Sequence, residues 1–96
     1  MSPYIIRITE YCSRYDIDKD FLYQLEKESL IKIHIIDSEE WIDDSQFRKI
    51  EQFMRWHYDL SINIEGIDVI NNLLEKMDDM QQEMNRLKQI LRLVER

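Results

Sequence analysis

The amino-acid sequence predicts a mainly α-helical chain with a small β wing, ending in a long coiled-coil helix. Three observations carry this. Apolar residues near the C-terminus keep heptad spacing: Ile70, Met77, Met84 and Leu91 fall at position a, and Leu73, Met80, Leu87 and Val94 at position d. Upstream, two short segments of helical period are separated only by Asp16-Ile17-Asp18. After them, Ile31-Lys32-Ile33-His34-Ile35 alternates apolar and polar, as a half-buried strand does.

In chain order, Tyr4-Ile5-Ile6-Arg7-Ile8, following Pro3, is rich in β-branched and aromatic residues and predicts a short strand. Thr9 is placed to cap a first helix, Glu10 to Tyr15, with Glu10 at its positive end. Asp18 suits the N-cap of a second helix, Lys19 to Ser29, whose apolar positions are Phe21, Leu22, Leu25 and Leu30. The alternating run opens a hairpin wing, Asp37-Ser38-Glu39-Glu40 makes its polar turn, and Trp41-Ile42 returns as the second strand. Trp41, closing the wing, is expected in the core. Asp43 or Asp44 caps a third helix reaching Tyr58, with Phe47, Ile50, Met54 and Tyr58 on one face. Leu60-Ser61-Ile62-Asn63 breaks the pattern, Asn63 caps the long helix and Glu65 suits its opening turn. Gly66, the only glycine, permits close packing of that turn against the globular part. This order describes a winged helix-turn-helix domain over residues 1–66 and a dimerisation helix over 67–96.

A lone helix with such a seam leaves its apolar stripe in water, at roughly 25 cal/mol for each Å² exposed. It needs a partner helix, and a homodimer is expected. Glu83 at g and Lys88 at e slightly favour a parallel pair, with an antiparallel one in another register open. Ninety-six residues bound the rest to one small domain, and a single cysteine, Cys12, excludes an internal disulfide and fits a reducing compartment. No apolar run approaches the roughly 20 residues that span a bilayer, and the N-terminus lacks a signal pattern. The expectation is a cytoplasmic protein without a membrane segment.

Charge narrows the function. The chain carries a formal charge of -7, and residues 1–66 hold eight Lys/Arg against fourteen Asp/Glu. Duplex-DNA binding depends on neutralising phosphates with cations, so this balance suits a basic protein partner better. Against that stand Arg48, Lys49 and Arg55 on the third helix and Lys27 and Lys32 beside the wing, although such charges ordinarily solvate a helix and pair with neighbours such as Glu51 and Asp59. Cys12, His34 and His57 lack metal-ligand spacing, no glycine-rich phosphate loop exists, and no histidine is marked as base for Cys12. The sequence therefore predicts no metal, no cofactor and no enzyme. Candidate partner contacts are Asp18, Asp20, Asp43 and Asp44, which double as caps, and Tyr23 and Trp56, of types enriched at interface hot spots.

The run ITEYCSRY over Ile8–Tyr15, the helix ending LEKESLI, and the W-x-D-D of Trp41 to Asp44 resemble the chaperone-modulator CbpM family, a branch of the MerR-like winged helices. So do Arg55-Trp56-His57-Tyr58-Asp59-Leu60 and Gly66-Ile67, and the resemblance covers nearly the whole chain. It implies a protein that binds the J domain of a DnaJ-like co-chaperone and keeps it from stimulating DnaK. A J domain offers DnaK a helix rich in Lys and Arg, so an acidic competitor is physically reasonable. MerR-like DNA-binding regulators usually carry Arg at the position matching Tyr23, whereas this chain reads Tyr23-Gln24-Leu25. Their wing usually ends in a Tyr-Arg pair, whereas this one ends in Trp41-Ile42 and Asp43-Asp44. The exposed edge of the second helix, Lys19, Asp20, Tyr23, Gln24 and Lys27, mixes signs. The alternatives are a MerR-like DNA-binding transcriptional regulator, its half-site spacing set by the dimer, and a scaffold acting through the coiled coil alone.

Overall fold

The computed structural model describes residues 4–95, so Pro3 before the first strand and Arg96 at the helix end lie outside the described residues. Strand β1 spans Ile5–Arg7 and runs straight into helix α1, Ile8–Tyr15. Thr9 is therefore not the predicted cap: Arg7 holds the cap position in extended conformation, with no side-chain hydrogen bond. Ile8 is needed in the core, and burying it draws the helix start two residues earlier than expected. Asp16 closes α1 in the left-handed region at φ 54.

Helix α2, Lys19–Lys27, starts as predicted, with the Asp18 carboxylate accepting from the Asp20 amide at 3.0 Å. It stops before the expected Ser29, which turns left-handed at φ 59. Leu30, Ile31 and Ile33 are buried in irregular backbone, and the first wing strand, β2, begins only at His34 and ends at Ile36. Strand β3 is longer than predicted, Glu39–Asp43, because the turn is only Asp37-Ser38, at φ 52 and 64. Two left-handed residues match the twist of a tight hairpin, and a short polar Asp tolerates that region better than bulkier types.

The sheet is antiparallel in the order β1-β3-β2. Ile6 opposes Ile42, and both point into the core. Trp41 opposes Arg7 on one side and His34 on the other, on the outer face. The expected core position of Trp41 thus belongs to Ile42, fully buried, while Trp41 lies half-buried under the Arg7 guanidinium, 5.4 Å from the ring centre. Pleat alternation allows only one of two adjacent residues inside.

A 3-10 turn, Asp44–Gln46, leads into helix α3, Phe47–Met54, which widens into a π-helical turn over Arg55–Asp59. Ile50 and Phe53 are fully buried, whereas Tyr58, predicted on the packed face, is 54% exposed. Helix α4 is a single element, Ile64–Val94, of 31 residues, or about 46 Å at 1.5 Å per residue. Asn63 caps it as expected, accepting from the Gly66 amide at 2.8 Å. Gly66 is constrained both by that cap and by close packing on the globular part: a Cβ there would stand 2.9 Å from the Asn63 carboxamide oxygen and from the side chain of Ile62, which packs against the core. Ile64 and Ile67 anchor the helix in the core, which otherwise comprises Ile6, Ile8, Tyr11, Phe21, Leu22 and Leu25 with buried neighbours from β3, α3 and the segment before β2.

Candidate functional site

A winged helix-turn-helix presents its second helix and its wing side by side, and here hydrogen bonds tie them: the Ile33 amide, at the foot of the wing, donates to the Glu26 carboxylate at 2.9 Å, and a tyrosine bonds to β3. Tyr23 Oη, on the exposed edge of α2, donates to Glu40 Oε1 of β3 at 2.7 Å, and this bond to a carboxylate raises the tyrosine pKa. One turn along the same edge, Gln24 donates to Asp20 at 2.7 Å. At the wing, Glu39 pairs with Arg7 at 2.9 Å, and Asp37 and Ser38 form the tip. Ile35, beside Glu40 through its partner register, is 74% exposed. The joint surface of α2 and wing therefore carries Asp20, Glu26, Asp37 and Glu40 against Lys19, Lys27 and Lys32, while Arg7 and Glu39 pair on the outer face of the sheet.

The predicted contacts separate into different roles. Asp18 and Asp20 are exposed at the start of α2, but one Asp18 oxygen is committed to its cap. Asp43 makes no helix cap and instead ties the hairpin together: it accepts from Ser45 Oγ, from Gln46 at 2.7 Å and from His34 Nε2 at 2.7 Å. The Ser45 hydroxyl, then His34 and Gln46, hold its carboxyl down at about 2 although burial opposes this. Gln46 extends the knot by exchanging two bonds with the Lys32 backbone, at 2.6 and 2.7 Å. Asp44 is exposed and makes no cap bond in the 3-10 turn. Trp56 is half-buried, its ring 5.8 Å from Phe53. His57 donates from Nδ1 to the Ile62 carbonyl at 2.9 Å and stacks on Phe21 at 4.9 Å, so it fastens the π-helical turn. Cys12 is buried.

The heptad residues lie together as predicted, along one unpartnered stripe of α4. Ile70 is half-buried at its base, and from Leu73 outward the stripe is solvent-facing, with Met80 at 66% and Val94 at 73% exposed. Leu74 and Ile90 widen it. Glu83 is committed within its own helix, accepting from Arg86 at 2.6 and 3.0 Å.

A second surface was not legible in the chain. Tyr15 and Asp16 at the end of α1 come up against Met54 of α3 and Tyr58 of the π-helical turn, forming a shallow groove. Its extensions reach Tyr11 and Phe47 on one side and Glu51, Arg55 and Asp59 on the other. Met54 and Tyr58 share a helix face in the sequence pattern, but nothing local brings Tyr15 to them.

Among the described residues, no group of three or more His, Cys, Asp or Glu side chains is placed to hold a metal, and no helix is long and apolar enough to cross a membrane. No curated protein and no solved structure matches the chain. The model of the MerR HTH family of regulatory proteins matches residues 6–89, from the first strand through most of α4. With the wing, the paired helices and the long C-terminal helix all in place, the chain belongs to the MerR HTH family.

Proposed function

We propose that this chain is a homodimeric, non-enzymatic chaperone modulator of the cytoplasm, which binds the J domain of a DnaJ-like co-chaperone and holds it away from DnaK. One observation carries the reading. The surface that a winged helix turns toward DNA has its tyrosine bonded to Glu40, and it adds Asp20 and Asp37 where phosphates would lie. A duplex would meet carboxylates, whereas a Lys/Arg-rich helix would be steered toward them.

The stripe on α4 is the proposed dimer seam. The charges on that helix favour an antiparallel pair. Asp68, Glu75, Asp78, Asp79 and Glu83 crowd its first part, and Arg86, Lys88 and Arg92 its last, so opposed helices set each basic end beside an acidic one. The Glu83–Lys88 contact of a parallel pair would compete with the bidentate Arg86 bond that Glu83 already makes.

A DNA-binding regulator is the second reading, favoured by the family match itself. Titration of the full chain with a purified J domain, alongside an assay of J-domain-stimulated DnaK ATPase, tests the proposal: saturable binding and loss of stimulation are expected. Absence of binding would overturn it. DNA binding whose logarithmic affinity falls steeply with salt would install the regulator instead.

A further inference from the structure

We infer that the groove centred on Met54 is the docking surface for a Lys/Arg-rich helix of the partner protein, an inference that rests on the J-domain reading above. Three contiguous hollows, of about 230, 600 and 230 Å³, meet at Met54, which lines all of them. Their walls are aromatic. Tyr15 is 50% and Tyr58 54% exposed; Tyr11 backs Tyr15 and stacks on Phe47 at 4.9 Å, and Phe21 lies 5.4 Å from Tyr58. Single exposed tyrosines need no explanation, but two flanking a thioether in one depression make a surface of the composition found at interface centres.

The rim states which partner fits. Asp16 and Asp18 stand on the α1–α2 side, and Glu51 and Asp59 on the α3 side. Arg55 is the one cation lining the hollows, 3.7 Å from Glu51 with both side chains more than half exposed, a pair that contributes little. The groove is therefore apolar in its floor and negative at both edges. That combination suits a helix that lays an apolar stripe over Met54 and places guanidinium groups on the faces of Tyr15 and Tyr58, within reach of the carboxylates. It is a poor seat for phosphate or for the acidic first part of α4. The dimer stripe differs in kind, being wide, apolar and flanked by both signs, as suits a second copy.

The test is the full-length double variant Glu51→Lys/Asp59→Lys, with Asp20→Lys/Asp44→Lys as the comparison on the helix-and-wing side. All four positions are exposed, so folding, checked by circular dichroism, is expected to persist. Titrated with a purified J domain at two ionic strengths, the groove variant is expected to bind at least about tenfold more weakly and with a flatter salt dependence. The comparison variant removes carboxylates that steer the partner without seating it and is expected to lose less affinity than the groove variant; an equal or larger loss overturns the docking site by moving it to α2 and the wing. Wild-type-like binding by the groove variant overturns the docking site while leaving the J-domain reading intact. Dissociation of the groove variant's dimer in sedimentation also overturns it, by assigning the groove to a second copy. Should the wild-type chain ignore the J domain, the reading fails by itself. The groove is then judged with a synthetic amphipathic Lys/Arg helix: shifts of the Tyr15 and Tyr58 ring signals support a basic-helix site, and their absence overturns it.

Discussion

The globular part and the outer reach of α4 are equally rich in large apolar side chains, yet they treat them in opposite ways. Ile6, Leu22, Ile42, Ile50 and Phe53 are at most 2% exposed, whereas Leu73, Met77, Met84 and Leu91 are each at least half exposed. Composition does not separate them; geometry does. In residues 4–67 every element folds back on another, so each apolar face meets a second one from the same chain. Beyond Ile70 the helix leaves the core, and its stripe has no such counterpart. One region is completed by intramolecular packing, and the other keeps its apolar stripe exposed, which is the seam of the dimer proposed above.

The comparison is broken most strongly from the core side. Phe53→Ala removes a fully buried ring that packs on Trp56 and is expected to cost about 3–5 kcal/mol. In so small a domain that shift is comparable with the whole stability. Chemical denaturation followed by tryptophan fluorescence measures it, and a loss under about 1 kcal/mol would contradict the packing described.

A substitution of the outer stripe should instead leave the core standing. Leu87→Asp places a charge at a d position, and the dimer dissociation constant is expected to rise by about a hundredfold or more, since a buried unpaired charge is poorly tolerated. Sedimentation equilibrium reads the change. Retained near-ultraviolet dichroism would confirm that the two regions are separable, and its loss would show that the core depends on the dimer.

The smallest effect sharpens the comparison within the globular part. The Asp43 carboxyl is held at about 2, below its ordinary value near 3.8, so its bonds contribute stability that is complete above the ordinary value and lost as pH falls through about 2. An Asp43→Asn variant is expected to be less stable at neutral pH and to approach the wild type in acid. Thermal unfolding at neutral pH and below pH about 3 checks this, and a gap of constant size would remove Asp43 from the hairpin's stability.

Much of the architecture was legible because it rests on local rules. Asp18 and Asn63 cap the helices that follow them, as their short acceptor side chains dictate. The apolar periods located the buried side of α2 but on the third helix only Ile50 and the half-buried Phe47 and Met54, missing the fully buried Phe53, and the heptads fell on one stripe of α4. Where the expectations failed, burial and converging side chains overrode the cap and core signals. Thr9 lost its cap because Ile8 is needed inside, and Trp41 yielded its core place to Ile42 because β1 fixes which face of β3 is buried. Asp43 turned from helix cap to hairpin knot once His34, Ser45 and Gln46 converged on it. Of the expected contact residues, Tyr23 is joined to the wing, which no spacing announces, whereas the lean of Trp56 on Phe53 follows the three-residue spacing of helix neighbours.

By itself, then, the sequence determined the kinds of element, the Asp18 and Asn63 caps, the acidic balance and the apolar stripe along α4, since each follows from residues within a few positions of one another or from a simple sum of charge. Tertiary structure alone decided which of two adjacent side chains goes inside, which carboxylates stay uncommitted, and that Tyr15, Met54 and Tyr58 share a groove. The physical reason is that burial and hydrogen bonding are settled between surfaces, and a surface exists only once distant segments have been brought into contact.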